Sequence, residues 1–95
     1  MAESSPQGAG IPGAQLMGEL ARGHAHWDVH LETALSPELG AVRGRIHFAQ
    51  ADRRRVTAWI FLERTDHDVR ERFLGFSSLE LWSLLESLGG SVGDR

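Results

Sequence analysis

The stretch WDVHLETALSPELGAVRGRIHF, residues 27–48, decides the fold. Trp27, Val29, Leu31 and Thr33 alternate with Asp28, His30 and Glu32, the two-residue period of a half-buried strand. Val42, Gly44, Ile46 and Phe48 alternate in the same way with Arg43, Arg45 and His47. Between the runs, LSPELGA (35–41) has Pro37 and Gly40 as turn punctuation. Pairing the strands about the middle of that turn sets Trp27 opposite Phe48, Val29 opposite Ile46 and Leu31 opposite Gly44. The same register sets Glu32 opposite Arg43, His30 opposite Arg45 and Asp28 opposite His47. Apolar then meets apolar on one face and acid meets base on the other, where each opposite-charge pair contributes about 0.2–1 kcal/mol.

Moving outward, QADRR (50–54) turns the chain into VTAWIFL (56–62), a third strand apolar on both faces. A three-residue turn, Ala51 to Arg53, places Val56 against Phe48, Ala58 against Ile46 and Leu62 against Val42. Trp59 then falls beside Arg45, Phe61 beside Arg43 and Thr57 beside His47. ERTDHD (63–68) reads as a polar loop, and a fourth strand is expected from about Arg70 to Phe76. Ser77 with Glu80 fits a helix capping box, and Phe76 with Leu81 fits the hydrophobic staple. Leu81, Leu84, Leu85 and Leu88 form the face that covers the sheet, Gly89-Gly90 is the expected stop, and Leu79 and Trp82 lie to one side in need of a second partner. The expected architecture is α+β: an antiparallel meander of three to four strands with a C-terminal helix packed on one face.

Residues 1–25 read as a flexible N-terminal arm, because MAESSPQGAGIPG (1–13) has little to bury. Within it, Ala14 to Arg22 has the spacing of a short helix with Leu16, Met17 and Leu20 on one side, a length that is marginal without packing. Residues 26–89 form the domain and 90–95 a tail.

The chain has 95 residues, a formal charge of −3, 24% charged and 41% hydrophobic residues, a globular composition. The acidic balance argues against a protein built to grip nucleic acid. All ten basic residues are arginine, and Lys, Cys, Tyr and Asn are absent, which reads as the bias of a GC-rich bacterial genome. Without cysteine there is no disulfide, thiol catalysis or thiolate metal site. No apolar run approaches the ~20 residues of a membrane span, and no signal peptide is read at the N-terminus, so the cytoplasm is the expected compartment.

The outer sheet face therefore carries Trp59 and Phe61 among arginines and histidines, an arrangement that favours cation–π stacking. Three readings compete: a cover supplied by the N-terminal arm or by residues 63–75; a protein interface, through self-association or a partner; and base stacking on the sheet. Arg43, Arg45, Trp59 and Phe61, with Leu79 and Trp82 on the helix, are hot-spot residue types. The third reading suffers from the acidic charge and from having only two aromatics. His26, Asp28, His30 and His47 are candidate metal ligands, although a spacing of about 6.6–6.8 Å along a strand is wide for a compact site. The bland alternative is a solvated face with cross-strand charge pairs. No serine sits in a nucleophile elbow and none has an evident base; Gly8, Gly10 and Gly13 follow no strand and make no phosphate loop. The expectation is a protein without enzymatic activity and without a cofactor.

GRIHF (44–48) and FSSLE (76–80) followed by an apolar helix resemble a class of short, uncharacterised bacterial proteins with a Gly-Arg-(Val/Ile) strand, a hairpin and a closing Phe-x-Ser-Leu-Glu-Glu-Leu helix. The similarity covers about half the chain, departs at Leu81 and Trp82, lacks the usual Ser-Gly hairpin turn and has a longer insertion before the helix. It implies the fold and no activity. The expected function is that of a protein–protein interaction module: a small adaptor, accessory subunit or inhibitor acting on a protein partner or on a second copy of itself.

Overall fold

The computed structural model describes residues 13–93, with side chains through residue 89. Its elements are strands β1 (Ala14–Arg22), β2 (Ala25–Ser36), β3 (Ala41–Gln50), β4 (Arg53–Val56) and β5 (Phe61–Glu63), then helices α1 (Asp66–Leu74) and α2 (Ser78–Gly93). The sheet is antiparallel in the order β1-β2-β3-β4, and β5 pairs with the other half of β3. The α+β meander closed by a C-terminal helix is as the alternation requires. No described helix is long and apolar enough to cross a membrane.

The segment 14–22 is a strand and not a helix. Its apolar positions 16, 17 and 20 mimic helical spacing because a β-bulge interrupts the ladder between Leu16 and Gly18. The inserted residue, Met17, packs on the core with Leu20, while Leu16 is turned to the opposite face beside His30. Gly18 in mid-segment also weighs against a helix, by roughly 1 kcal/mol relative to alanine. Gly23, at φ 59, and His24 make the two-residue turn into β2. The expected arm thus loses residues 13–25 to the sheet, and the rest of it lies outside the described residues.

The β2–β3 hairpin keeps its faces but shifts its register by two residues. Val29 pairs with Phe48, Leu31 with Ile46 and Thr33 with Gly44; on the other face His30 pairs with His47, Glu32 with Arg45 and Ala34 with Arg43. The strands run further into the expected turn, which is confined to residues 37–40. Leu39 N–H donates to the Ser36 carbonyl (3.1 Å), Gly40 N–H to the Pro37 carbonyl (3.1 Å), and Gly40 has φ 61. An even shift preserves every side chain's face, so the pattern could not expose the error.

The next connection shifts by an odd number, which does exchange faces. The turn holds two residues, with Ala51 at φ 42, so Arg55 pairs with Phe48 on the core side and Val56 with His47 on the outer side. The run 56–62 is then broken over 57–60, and Phe61 returns on the core side opposite Gly44, with Leu62 outward beside Arg43. Thr57 makes the break tolerable. Its N–H donates to the Ile46 carbonyl (3.0 Å), and its hydroxyl accepts from the Ile46 N–H (3.0 Å) where a strand would offer a carbonyl. Thr57→Val keeps the shape but leaves a buried N–H unanswered, so stability should fall by about 1–3 kcal/mol. The urea midpoint should drop with the slope unchanged; an unmoved midpoint would show that the hydroxyl is not a ladder group.

Residues 66–74 are helical, where the sequence suggests a loop and then a strand. Thr65 is the N-cap, its hydroxyl accepting from the Asp68 N–H (3.0 Å), and Val69 and Phe73, one turn apart, are the only residues this helix buries. The Thr33 hydroxyl bonds the Asp66 carboxylate, tying α1 to β2, and this bond, with Arg70 adding to it, holds the Asp66 carboxyl below its ordinary range against the opposing effect of burial. The expected capping box opens α2: Ser77 N–H donates to Glu80 Oε1 (2.8 Å) and Glu80 N–H to Ser77 Oγ (3.1 Å). Gly89 does not end the helix. It makes room for Arg55, whose guanidinium donates to the Leu85 carbonyl (3.5 Å) and lies where a Cβ of residue 89 would be. Both helices cover one sheet face, burying Leu20, Trp27, Val29, Leu31, Ile46, Phe48 and Phe61 under Val69, Phe73, Leu81 and Leu85.

Candidate functional site

No described helix packs on the other sheet face, and the register sorts its side chains into rows across the strands. From the β1–β2 turn end these are Glu19–Asp28–Ala49–Arg54, Leu16–His30–His47–Val56, Ala14–Glu32–Arg45 and Ala34–Arg43–Leu62.

The centre is a charge network. One oxygen of Glu32 takes a hydrogen bond from Arg45 Nε (2.8 Å) and lies 2.6 Å from His47 Nε2. Burial alone would raise the Glu32 carboxyl; the bonds from Arg45 and His47 outweigh it and hold the group below its ordinary value. His30 and His47 face each other and are both buried, at 4% and 6% exposure, and the Nδ1 atoms of both make no hydrogen bond among the described residues. Burial lowers the His30 pKa, with His47 and Arg54 acting in the same sense and Asp28 opposing.

Beside this network, Trp59 lies beneath two guanidiniums, with Arg43 Cζ at 4.5 Å and Arg45 Cζ at 4.2 Å from its ring centroid. Each contact is worth about 0.5–1 kcal/mol at an exposed site. The irregular stretch 57–60 carries Trp59 across onto Arg43 and Arg45. Exposed Val56 and Leu62 lie on the strands beside this group, and exposed Leu16 stands on β1 at the far edge of the same face.

The structure brings together Trp59, Arg43 and Arg45 and separates the other expected contact residues from them. Phe61, expected on this face, is a core residue packed edge-to-face on Phe76 at 5.8 Å, because the odd register shift turns it inward. Trp82 is on the helix-covered side, half-buried against the core under the Arg22 guanidinium at 4.3 Å. Leu79 stands exposed on α2. His26 and Asp28 gather with Glu19, while His30 and His47 sit one row further on. Glu19 is not singled out by the sequence, because the apolar spacing at 16, 17 and 20 mimics a helix there and the bulge masks the strand alternation.

What fold and surface define is a small α+β sheet protein with helices on one face and an aromatic–arginine patch on the other. No protein-family model, curated protein or solved structure matches the chain.

Proposed function

We propose that the protein is a non-enzymatic interaction module, an adaptor, accessory subunit or inhibitor, that docks through the outer sheet face, and that its first occupant is a second copy of the chain. The observation that carries this is Trp59 held under Arg43 and Arg45 on a face that no described helix covers, with Val56 and Leu62 exposed on the strands beside it. Self-association is favoured because one row is nearly palindromic and two others set acid over base when reversed, Glu19 over Arg54 and Glu32 over Arg45. Leu16–His30–His47–Val56 reads apolar, imidazole, imidazole, apolar in either direction. A two-fold axis along the strands lays each row over its own reverse, so Glu32 of one copy meets Arg45 of the other and Leu16 meets Val56. The half-buried Trp59, with Arg43 and Arg45 over its ring, then meets the side of the face where Ala14 and Ala34 leave space.

Sedimentation velocity over a concentration series tests this. The wild type should dimerise, and both Trp59→Ala and Ala34→Arg should shift it to monomer with circular dichroism and melting cooperativity retained. A wild type that stays monomeric at the highest attainable concentration, or a dimer indifferent to both substitutions, would falsify the proposal. Single-strand binding has less support than the sequence suggested, since Phe61 is in the core and Trp59 is left as the one stacking ring. The resemblance of GRIHF and FSSLE to short bacterial proteins, with the all-arginine composition, supports a bacterial setting.

A further inference from the structure

Near the turn end of the β1–β2 hairpin, three ligating side chains converge at the rim of the outer face. Glu19 from β1 and His26 and Asp28 from β2 each offer one donor atom, two carboxylate oxygens and an imidazole nitrogen, all within 4.8 Å of one another. The backbone explains the convergence. Glu19 is the direct cross-strand partner of Asp28, and His26 is opposite Ala21, whose small side chain leaves the imidazole free to lean over Glu19 with Nε2 to Oε1 at 3.1 Å.

Two further observations point to a cation. Like charges directly opposite each other destabilise a sheet, yet here two carboxylates face each other with no arginine paired to either among the described residues. One row further in, Glu32 faces Arg45 instead. The second is His30, the next residue on this face of β2 after Asp28. It is 4% exposed, and its Nδ1 makes no hydrogen bond among the described residues.

We propose that Glu19, His26 and Asp28 form a site for one divalent transition ion, with His30 or water completing the shell. A neutral imidazole with two carboxylates carries a charge of −2, matched by a divalent ion. One nitrogen and two oxygens suit zinc or its first-row neighbours, whereas calcium requires six to eight oxygens and magnesium keeps most of its water. Donors on a tetrahedral zinc lie about 3.3 Å apart, from bond lengths near 2.0–2.2 Å. Glu19 and His26 are exposed and Asp28 is half-buried, so small rotations bring them to that spacing. The site is complete within one copy and lies at the rim of the docking rows, so it stands or falls independently of dimerisation.

The test is calorimetric titration of the tag-free full chain, stripped with EDTA and dialysed, using zinc chloride and, in parallel, magnesium and calcium chloride. Zinc should bind one ion per chain and raise the melting temperature. Asp28→Asn and His26→Gln should each weaken zinc by at least about tenfold, since even residues outside the ligand shell typically cost 10–100-fold. His67→Gln, on α1, should leave the affinity unchanged. Asp28→Asn also removes the like-charge contact, so in EDTA it should be at least as stable as the wild type, and lost binding then cannot be ascribed to unfolding. No zinc heat, a zinc affinity unaffected by both ligand substitutions, or a preference for magnesium or calcium overturns the assignment.

Discussion

Gly44→Ala is expected to destabilise the protein by about 1–3 kcal/mol, with Val69→Ala in the same chain restoring part of the loss. A Cβ on residue 44 would lie 2.5 Å from Val69 Cγ1 and 3.2 and 3.3 Å from Phe61 Cδ2 and Cβ. None of these atoms is the loose end of a long side chain. Val69 is fixed by a helix whose N-cap is Thr65, and Phe61 is braced by the Phe76 ring. The added methyl must therefore lift α1 from β3. In a domain of this size each 1 kcal/mol lowers the melting temperature by about 4–8 °C, so the effect is readable by thermal melts. Truncating Val69 creates the missing space, and the two substitutions should be non-additive in a double-mutant cycle, as expected for groups in contact. In the register read from the sequence alone, Gly44 is opposite Leu31, and with 63–76 read as loop and strand no Val69 stands above it. An alanine there would be neutral or better, since glycine weakens a strand by roughly 0.5–1 kcal/mol relative to alanine. Wild-type stability in Gly44→Ala would therefore sink the packing of α1 on β3.

The second large effect belongs to Glu32. Glu32→Gln keeps the shape but removes the charge that answers Arg45 and His47, and about 1.5–3 kcal/mol of stability should go with it, the range for hydrogen bonds to charged groups. The pH dependence gives a sharper signature. The Glu32 carboxyl is held below its ordinary 4.5, so its contribution is present above that value and is lost as pH falls toward the lowered one. Asp66, held below 3.8, acts in the same direction at lower pH. His30 is held below 6.5, so below that the unfolded chain takes up a proton that the fold refuses, and stability already declines there. His26 runs the other way: the Glu19 hydrogen bond raises its pKa, so its contribution is present below 6.5 and lost as pH rises through the raised value. Its exposed position keeps that contribution small. Urea titrations in EDTA from pH about 3 to about 8 should thus show two falling windows on acidification. Glu32→Gln should lower the plateau and flatten the window beneath 4.5, leaving the one below 6.5 in place. A mutant curve superimposable on the wild type would remove Glu32 from the centre of the network.

These two positions also show how far the residues could be read unaided. Alternation in 27–48 reports which face a side chain takes, and Val29, Leu31, Ile46 and Phe48 are in the core for that reason. It cannot report an even slip, and the charged face misleads, because the expected register pairs Glu32 with Arg43 and Asp28 with His47, whereas the observed one keeps a single acid–base pair, Glu32 with Arg45. The cap at Ser77 was legible because both of its hydrogen bonds are local. The cap at Thr65 is also local, but only Val69 and Phe73 of its helix are buried, too few to mark a helical period against the charged background. Trp59 was correctly associated with Arg45 and Phe61 wrongly placed beside Arg43. What separates them is the Thr57 hydroxyl standing in for a carbonyl, a tertiary contact with no periodic signature. The Glu19–His26–Asp28 cluster was half visible, its third member hidden behind the bulge at Met17.

That bulge has a consequence for the life of the protein in a crowded solution. β1 ends the strand order on its side, and a long uniform edge strand is a template on which further chains can add in register. With its ladder offset between Leu16 and Gly18, an incoming strand that matches one half of the edge is out of step with the other. Fibre growth from that side has no continuous run of donors and acceptors to copy. One residue out of place lets the molecule keep a face with exposed apolar side chains without its rim seeding an endless stack.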